Sequence, residues 1–331
     1  MEPAPWPPRH RLIDEPSPLH PLPRFSAALG DRVEVWVKRE DLLPIGFGGN
    51  KLRNLEYLIG DALAAGADVL VTSGRRWSNH ARLTAAAGAR AGLGVHLVLT
   101  GPPEAAAGSP NLRLCELMGA TVHVAPTADR ADRARLVDQV TGDLRASGWV
   151  PYPIGVGGSS ALGALGQVRA ARELLSQATQ NGIGIDVIVL PSATGGTQAG
   201  ILAAVHDVSW RSETPAVDGI AVAQPAAELR AAIDSLLTGL RSWVPGADGA
   251  GPVEVDPAQL GAGYGVRSAA ADEASALLAR TEGILVDPIY TAKALAGLVA
   301  GVRSGAWDGK RIVFWHAGGL PGMFEALDAP G

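Results

Sequence analysis

Apolar positions along this chain follow two alternating patterns. Short runs of aliphatic and β-branched residues read as buried strands at Val33–Lys38, Asp68–Thr72, Val95–Leu99, Thr121–Val124, Val187–Leu190, Gly219–Val222, Ile284–Val286 and Ile312–Trp315. Between most of them run Ala- and Leu-rich stretches with helical spacing. Leu52, Leu55, Leu58, Ile59, Ala62 and Leu63, for instance, form one apolar stripe. Further helices are expected over Ala81–Ala91 and Asn111–Met118 and from about Gln198. Buried strands alternating with helices predict an α/β fold with parallel sheets covered on both faces. Asp129–Asp138 is a charged helical face and reads as solvated surface. Ser209–Asp218 and Trp243–Pro252 read as loops from their Pro, Gly, Ser and Asp content. Residues 1 to about 25 hold eight of the 24 prolines, which predicts an extended arm laid over a domain rather than a helix.

Composition narrows the class. A chain of 331 residues suits one large or two ordinary domains, and 47% hydrophobic residues can fill a core. With 42 glycines and many alanines, helices and sheets must pack closely through small side chains. A net charge of −5 and a pI near 5.8 argue against nucleic acid or an anionic membrane as partner. The single cysteine, Cys115, can form no internal disulfide and falls in a predicted helix, as a packed thiol would. That fits a reducing compartment such as the cytoplasm. The proline-rich, charged start has no apolar h-region, so no signal peptide is expected, and no apolar run approaches the ~18 residues of a membrane span. The seven histidines are scattered without zinc spacing, and no metal is expected. A Gly-x-Ser-x-Gly elbow is missing as well.

Candidate chemistry gathers where predicted strands run into helices, the usual ligand end of such sheets. Gly48-Gly49-Asn50-Lys51 is the most informative of these junctions. The chain uses four lysines (Lys38, Lys51, Lys293, Lys310) against 24 arginines, so a lysine kept in this turn suggests chemistry that guanidinium cannot do, such as Schiff-base formation. Its place at a helix N-terminus should lower the ammonium pKa. A surface lysine at a helix start is the plainer alternative. Ser192-Ala193-Thr194-Gly195-Gly196-Thr197 follows an apolar strand and precedes a helix, with the glycines and hydroxyls of a phosphate cup. It is neither a Walker loop nor a GxGxxG dinucleotide turn. Ser78-Asn79-His80 could receive a carboxylate at a helix start or simply cap that helix, and Gly157-Gly158-Ser159-Ser160 poses the same choice. Tyr264 and Tyr290 sit at loop and strand tips, where a tyrosine can orient a ring, move a proton or merely pack.

In this order, Lys38-Arg39-Glu40-Asp41-Leu42-Leu43-Pro44, Gly48–Leu52, Ser78-Asn79-His80, Gly157-Gly158-Ser159, Ala161–Gly166, Thr194–Gly200, Tyr264-Gly265-Val266, Glu282–Tyr290 and His316 with Gly318-Gly319 resemble one family. It is the group of fold type II pyridoxal-phosphate (PLP) enzymes that includes D-cysteine desulfhydrase and 1-aminocyclopropane-1-carboxylate (ACC) deaminase. The resemblance implies a large domain (1–53 and 156–331), a smaller inserted domain (54–155), each with a mostly parallel sheet, and a homodimer. It implies that Lys51 holds the cofactor covalently beside Asn50, that Asn79 meets the ring hydroxyl and that Thr194, Gly195, Gly196 and Thr197 grip the phosphate. Ser78 with the helix behind it would bind the substrate carboxylate, alongside Asn79, His80, Trp77, Gly158 and Ser159. Lys51 or Ser78 would move the α-proton, with Tyr264 and Tyr290 flanking ring and substrate.

Two departures bear on substrate. ACC deaminases carry Glu and Leu at the positions of Thr291 and Ala317, whereas enzymes acting on D-cysteine carry Ser or Thr, and Thr. Thr291 therefore resembles the desulfhydrases and is a candidate for the ring nitrogen, while Ala317 matches neither. Relatives have small residues and a Gln where this chain has Arg75-Arg76-Trp77, either arginines able to recruit a second anion or two solvated loop arginines beside a tryptophan that packs or narrows the pocket. The expected reaction is α,β-elimination from a small amino acid, D-cysteine foremost. The alternatives are a relative retuned for an anionic or specialised amino acid such as cysteate, an ACC deaminase, and a PLP-binding protein without turnover.

Overall fold

The computed structural model describes residues 4–100, 109–125, 127, 129–207, 214–249 and 251–325. The first half of the chain forms β1 (Leu19–Pro21), α1 (Pro23–Ala28), β2 (Glu34–Arg39), α2 (Lys51–Ala64), β3 (Val69–Arg75), α3 (Asn79–Ala91), β4 (Gly94–Thr100), α4 (Pro110–Leu117), β5 (Thr121–Ala125), α5 (Arg130–Ala146) and β6 (Pro151–Ile154). The second half forms α6 (Ala161–Gln180), β7 (Val187–Ser192), α7 (Gly196–Val205), β8 (Ala216–Ala221), α8 (Ala226–Leu240), β9 (Val255–Asp256), α9 (Ala269–Glu282), α10 (Thr291–Arg303) and β10 (Arg311–His316). A six-stranded sheet has the order β1-β2-β10-β7-β8-β9 and is parallel except for the edge strand β1. A four-stranded, wholly parallel sheet has the order β5-β4-β3-β6. Its strands all fall between β2 and β7 of the larger sheet.

Strand alternation decides which helices cover which face. On β7, Ile188 and Leu190 pack in the core built with α6, α7 and α8, whereas Val187 and Val189 pack in the core built with α1, α9 and α10. On β10, Val313 and Trp315 face the first core and Ile312 and Phe314 the second. In the small sheet, Leu70 and Leu97 meet α2 and α3, while Val71 and Val98 meet α5. Burying both faces is why these strands read as continuous apolar runs.

Several expectations change. The loop expected over Ser209–Asp218 lies outside the described residues at 209–213, and its end joins β8 from Ala216. Ile284–Val286 forms no strand. Ile284 and Val286 turn into the core and Leu285 faces outward, but the Leu285 carbonyl bonds the His316 ring (2.8 Å) instead of a ladder. β6 escaped sequence reading because Pro151 and Pro153 interrupt it; it is an edge strand paired only with β3, where missing N–H groups are tolerated. The proline arm is extended at first and runs over α2: Trp6 packs edge-on to Tyr57 with centroids 5.9 Å apart, and Glu56 Oε1 accepts from the backbone N–H of Leu12 (2.9 Å) and Ile13 (3.1 Å). It then supplies β1, and Pro23 opens α1, a position that suits a residue without N–H.

The start of α2 is anchored by buried charge. The Arg53 guanidinium, 2% exposed, donates to Glu40 Oε2 (3.0 Å) and Oε1 (2.8 Å) and to Glu173 Oε2 and Oε1 (both 2.9 Å). Lys38 Nζ donates to Glu173 Oε1 (2.6 Å), the Ser17 carbonyl (2.7 Å) and Gln177 Oε1 (2.8 Å). Arm, β2, α2 and α6 thus meet in one network. Helix α6 lies tight against α2 because Gly166 has no side chain: a Cβ there would overlap the Arg53 carbonyl oxygen. Burial by itself would raise the Glu40 carboxyl, but Arg53, Lys38 and the Ser17 hydroxyl outweigh it and hold the group below its ordinary value.

Removing one partner leaves buried charge uncompensated. Glu40→Gln should lower unfolding free energy by about 3–5 kcal/mol in urea titrations at neutral pH. Because the folded-state pKa of Glu40 is depressed, its contribution is complete above the unfolded value near 4.5 and is lost as pH falls through the folded value. The gap between native protein and variant should therefore narrow in acid; a gap constant down to about pH 3 would contradict this account.

Candidate active site

A cleft of about 570 Å3 lies between the two sheets, lined by loops at the carboxyl ends of strands. The N-termini of α2, α3 and α7 all open onto it through Lys51, Asn79 and Gly196. Three N-termini on one cavity make a field suited to anions.

Lys51 is the first residue of α2 and its half-buried side chain lines the cleft. Burial pushes its ammonium down to about 8. About a tenth of it is then neutral at pH 7, compared with far below 1% for an ordinary lysine. The turn before it is locked by Asn50, whose N–H donates to the Ala317 carbonyl (3.0 Å) and whose Nδ2 donates to Thr197 Oγ1 (2.8 Å). The lysine turn and the Gly-rich turn are thus bonded to each other.

That Gly-rich turn follows β7. Gly195 caps α7 at φ 83°, left-handed backbone that favours glycine. Ser159 Oγ and Thr194 Oγ1 are 2.5 Å apart beside it, and a Cβ on Gly196 would crowd the Ser159 hydroxyl at 2.8 Å. Ser192 Oγ is buried in the same lining without a hydrogen-bond partner.

On the opposite wall, β3 leads through Ser73, Gly74 and Arg75 into α3. Ser78 caps that helix, its Oγ accepting from the Ala81 N–H (3.2 Å). Asn79 Oδ1 accepts from Arg82 Nη2 (3.3 Å). His80 has one available tautomer. The Thr72 hydroxyl donates to the Ile154 carbonyl (2.8 Å), so its oxygen accepts from His80 Nε2–H (2.9 Å). Nδ1 is left as a bare acceptor, buried and without a partner. Burial, and secondarily the Lys51 ammonium, push His80 down to about 3.

Tyr264 and Tyr290 close one side with their hydroxyls hydrogen-bonded and ring centroids 5.8 Å apart. Burial raises both phenols above their ordinary values, so both are neutral acids near pH 7. Trp77 stands edge-on to Tyr264 at 5.8 Å, its indole N–H turned towards the phenol but outside hydrogen-bond geometry. Behind Tyr290, Asp287 caps α10: Oδ1 accepts from the N–H of Ile289 (2.9 Å) and Tyr290 (2.7 Å), and Oδ2 from the Thr291 hydroxyl (2.5 Å).

Of the residues singled out from sequence, Asn50, Lys51, Ser78, Asn79, His80, Ser159, Thr194, Gly195, Gly196, Thr197, Tyr264 and Tyr290 line the cleft together. Trp77, Gly158 and Thr291 do not. Trp77 backs Tyr264, Gly158 is covered by Asn54, which bonds its carbonyl (3.0 Å), and the Thr291 hydroxyl is committed to Asp287. Ala317 is in the lining but brings no polar side-chain atom. Ser192 belonged to the Gly-rich turn singled out from sequence, whereas sequence reading missed Arg130 and Arg133. The two arginines were assigned to a solvated face, yet Arg133 is 8% exposed and both line the cavity. Their i,i+3 spacing on α5 was the available signal.

A lysine of lowered pKa bonded through its turn to an oxyanion cradle defines a site for a phosphorylated carbonyl cofactor. The description "Pyridoxal-phosphate dependent enzyme" matches residues 11–318, and the chain belongs to that family. It is 38% identical over 325 residues to proteins named D-cysteine desulfhydrase from Salmonella choleraesuis (strain SC-B67) and Salmonella typhi, covering 96% of this chain and 95% of each relative. A solved ACC deaminase homologue superposes with TM-score 0.85 at 35% identity, covering 96% of this chain and 94% of that one. Maize serine racemase, at TM-score 0.66 and 20% identity over 92% of this chain and 88% of that one, shares the fold. The residues present fit pyridoxal phosphate: the orphaned Ser192 hydroxyl and the side-chain-free Gly195-Gly196 turn suit its phosphate, and Lys51 suits its aldehyde.

Two titrations check the electrostatics. In cofactor-free protein, Lys51 should react with an amine reagent with an apparent pKa of about 8, well below the lysine value of 10.5. His80 should appear by NMR as the neutral Nε2–H tautomer and stay so between about pH 5 and 8. A His80 titration near 6.5 would refute the hydrogen-bond assignment.

Proposed function

We propose that this protein is a PLP-dependent carbon–sulfur lyase acting on a small amino acid, with D-cysteine as the reference substrate. D-Cysteine and water would give pyruvate, ammonia and hydrogen sulfide. The observation that carries this reading is the meeting of Lys51 with two separate anion sites in one cleft, at the α7 and α3 N-termini. Relatives named D-cysteine desulfhydrase support the choice of substrate.

Lys51 holds the cofactor through its amine. Thr194, Gly195, Gly196 and Thr197 receive the phosphate at the α7 N-terminus, and Asn50 fixes the distance between that cradle and the lysine. Asn79 orients the ring from the α3 side. Ser78 and the first N–H groups of α3 receive the substrate carboxylate, with Ser159 on the facing loop. Once bound, the cofactor supplies an electron sink for the carbanion at Cα. Lys51 Nζ, neutral in useful amount near pH 8, takes the α-proton, with Ser78 Oγ as its neighbour in that transfer. His80 offers a bare Nδ1 acceptor that stays uncharged. Tyr264 and Tyr290, neutral and bonded to each other, can donate a proton towards the departing group. Trp77 and Thr291 act one layer back, holding Tyr264 and the α10 start in place. The reading includes a large unit of residues 1–53 and 156–331 around a small unit of 54–155, and a homodimer working in the cytoplasm.

Borohydride reduction of the purified, yellow protein should leave a pyridoxyl group on Lys51, and Lys51→Ala should lose roughly 10²–10⁴-fold in turnover. D-Cysteine should yield pyruvate and sulfide faster than ACC yields 2-oxobutyrate. A label on Lys38, Lys293 or Lys310 would overturn the lysine assignment, and faster ring opening of ACC would overturn the substrate.

A further inference from the structure

The cleft holds more positive charge than a neutral substrate needs. Arg75 at the end of β3 and Arg130 and Arg133 on α5 all line it. Arg133 is buried, Arg75 half-buried and Arg130 exposed at the rim. Arg75 leans over Trp77 at 5.9 Å. Among the described residues none of the three forms an ion pair with a carboxylate, although the chain pairs Arg39, Arg53, Arg172, Arg267 and Arg303 with acids. All three line the same cleft, and burial, then repulsion from Arg75 and Arg130, depresses the Arg133 guanidinium against smaller opposing pulls from Tyr264 and the exposed Asp129 carboxylate. A buried cation beside two like charges is unfavourable until an anion joins them. Two anions of the proposed reaction already have receivers, the cofactor phosphate at α7 and the substrate α-carboxylate at α3. The arginines are left over.

We propose that Arg75, Arg130 and Arg133 form a subsite for a second strong oxyanion carried on the substrate's β-carbon, a sulfonate or a phosphate monoester. The guanidinium fork matches the tetrahedral oxygens of either group. This rests on the lyase reading above and moves its preferred substrate away from D-cysteine. With a β-sulfonate, the Cα proton goes to the enzyme base and the Cβ–S bond breaks with its electron pair leaving on sulfite. Water then converts the aminoacrylate to pyruvate and ammonia. A β-phosphate leaves in the same way by Cβ–O cleavage as inorganic phosphate. No oxidant or reductant enters either balance.

The test compares kcat/KM for D- and L-cysteate and D- and L-phosphoserine with that for β-chloroalanine, in native protein and in Arg133→Gln, Arg75→Gln and Arg130→Gln. Calorimetric binding of 3-sulfopropionate to the holoenzyme is measured alongside. One acidic substrate should exceed chloroalanine in the native protein. The ratio should fall roughly 10- to 150-fold in Arg133→Gln or Arg75→Gln, and less in the solvent-exposed Arg130→Gln. Sulfonate against phosphate is decided by which substrate gives the larger ratio. If Arg133→Gln does not fold, the two more exposed positions carry the test. An unchanged ratio overturns the proposal, as does an equal loss on both substrate types, which would put the arginines on the α-carboxylate. Weakened cofactor absorbance instead would put them on the cofactor phosphate and also overturn it. If no amino acid is turned over, the lyase reading fails, while sulfopropionate binding that weakens about tenfold in Arg133→Gln still sustains the anion subsite.

Discussion

The Arg53 guanidinium, two residues beyond Lys51, is the contact on which the site depends. It grips Glu40 at the end of β2 and Glu173 on α6, and Lys38 and Ser17 complete the set. Two cations and two carboxylates leave no net charge in the interior, and the partners come from four stretches of chain: the arm, the end of β2, α2 and α6. A network of this kind adds little stability relative to an apolar packing of the same volume, but it strongly penalises any misplacement. The first turn of α2 is thus held at one height against β2 and α6, and Lys51 is held with it. Gly166 serves the same end by letting the two helix backbones touch.

From that anchor the cleft is assembled by hydrogen bonds between turns. Asn50 ties the lysine turn to Thr197 and to Ala317, so three strand-end loops of the large sheet move as one. The facing wall belongs to the small sheet, where Thr72 on β3 and Ile154 on β6 dictate the His80 tautomer. Charge in the cleft is one-sided. Helix N-termini and arginines surround a lysine and a histidine whose charged forms burial disfavours. Such a cavity favours anionic ligands and keeps an amine available as a base beside an imidazole that stays uncharged, which suits proton removal next to a carboxylate.

Much of this was legible in the chain. Apolar runs marked β2, β3, β4, β7, β8 and β10 because strands largely buried on both faces leave little room for polar residues, and the edge strand β5 was marked by its β-branched Thr121, Val122 and Val124. The Gly-Gly-Asn-Lys turn, the Thr-Gly-Gly-Thr turn and Ser78-Asn79-His80 were visible because each combines local backbone demands with helix-start chemistry. β1, β6 and β9 were hidden: they are edge strands of two to four residues, and prolines interrupt the first two. Ile284–Val286 shows the converse, a strand-like alternation whose hydrogen bonds go elsewhere.

The sequence by itself determined which segments become strands or helices and which turns can receive a phosphate or carry a reactive amine, since these follow from spacing and residue chemistry within a few positions. Only the tertiary structure decided the rest. It spent the Thr291 hydroxyl on Asp287, bonded Tyr264 to Tyr290, and turned Arg130 and Arg133 from an apparent surface face into the cleft. The reason is physical. A hydroxyl's partner and an arginine's burial depend on what another part of the chain brings alongside, and α5 meets the cleft because it packs on β3 and β4 of the small sheet, whose β3 leads into the cleft wall.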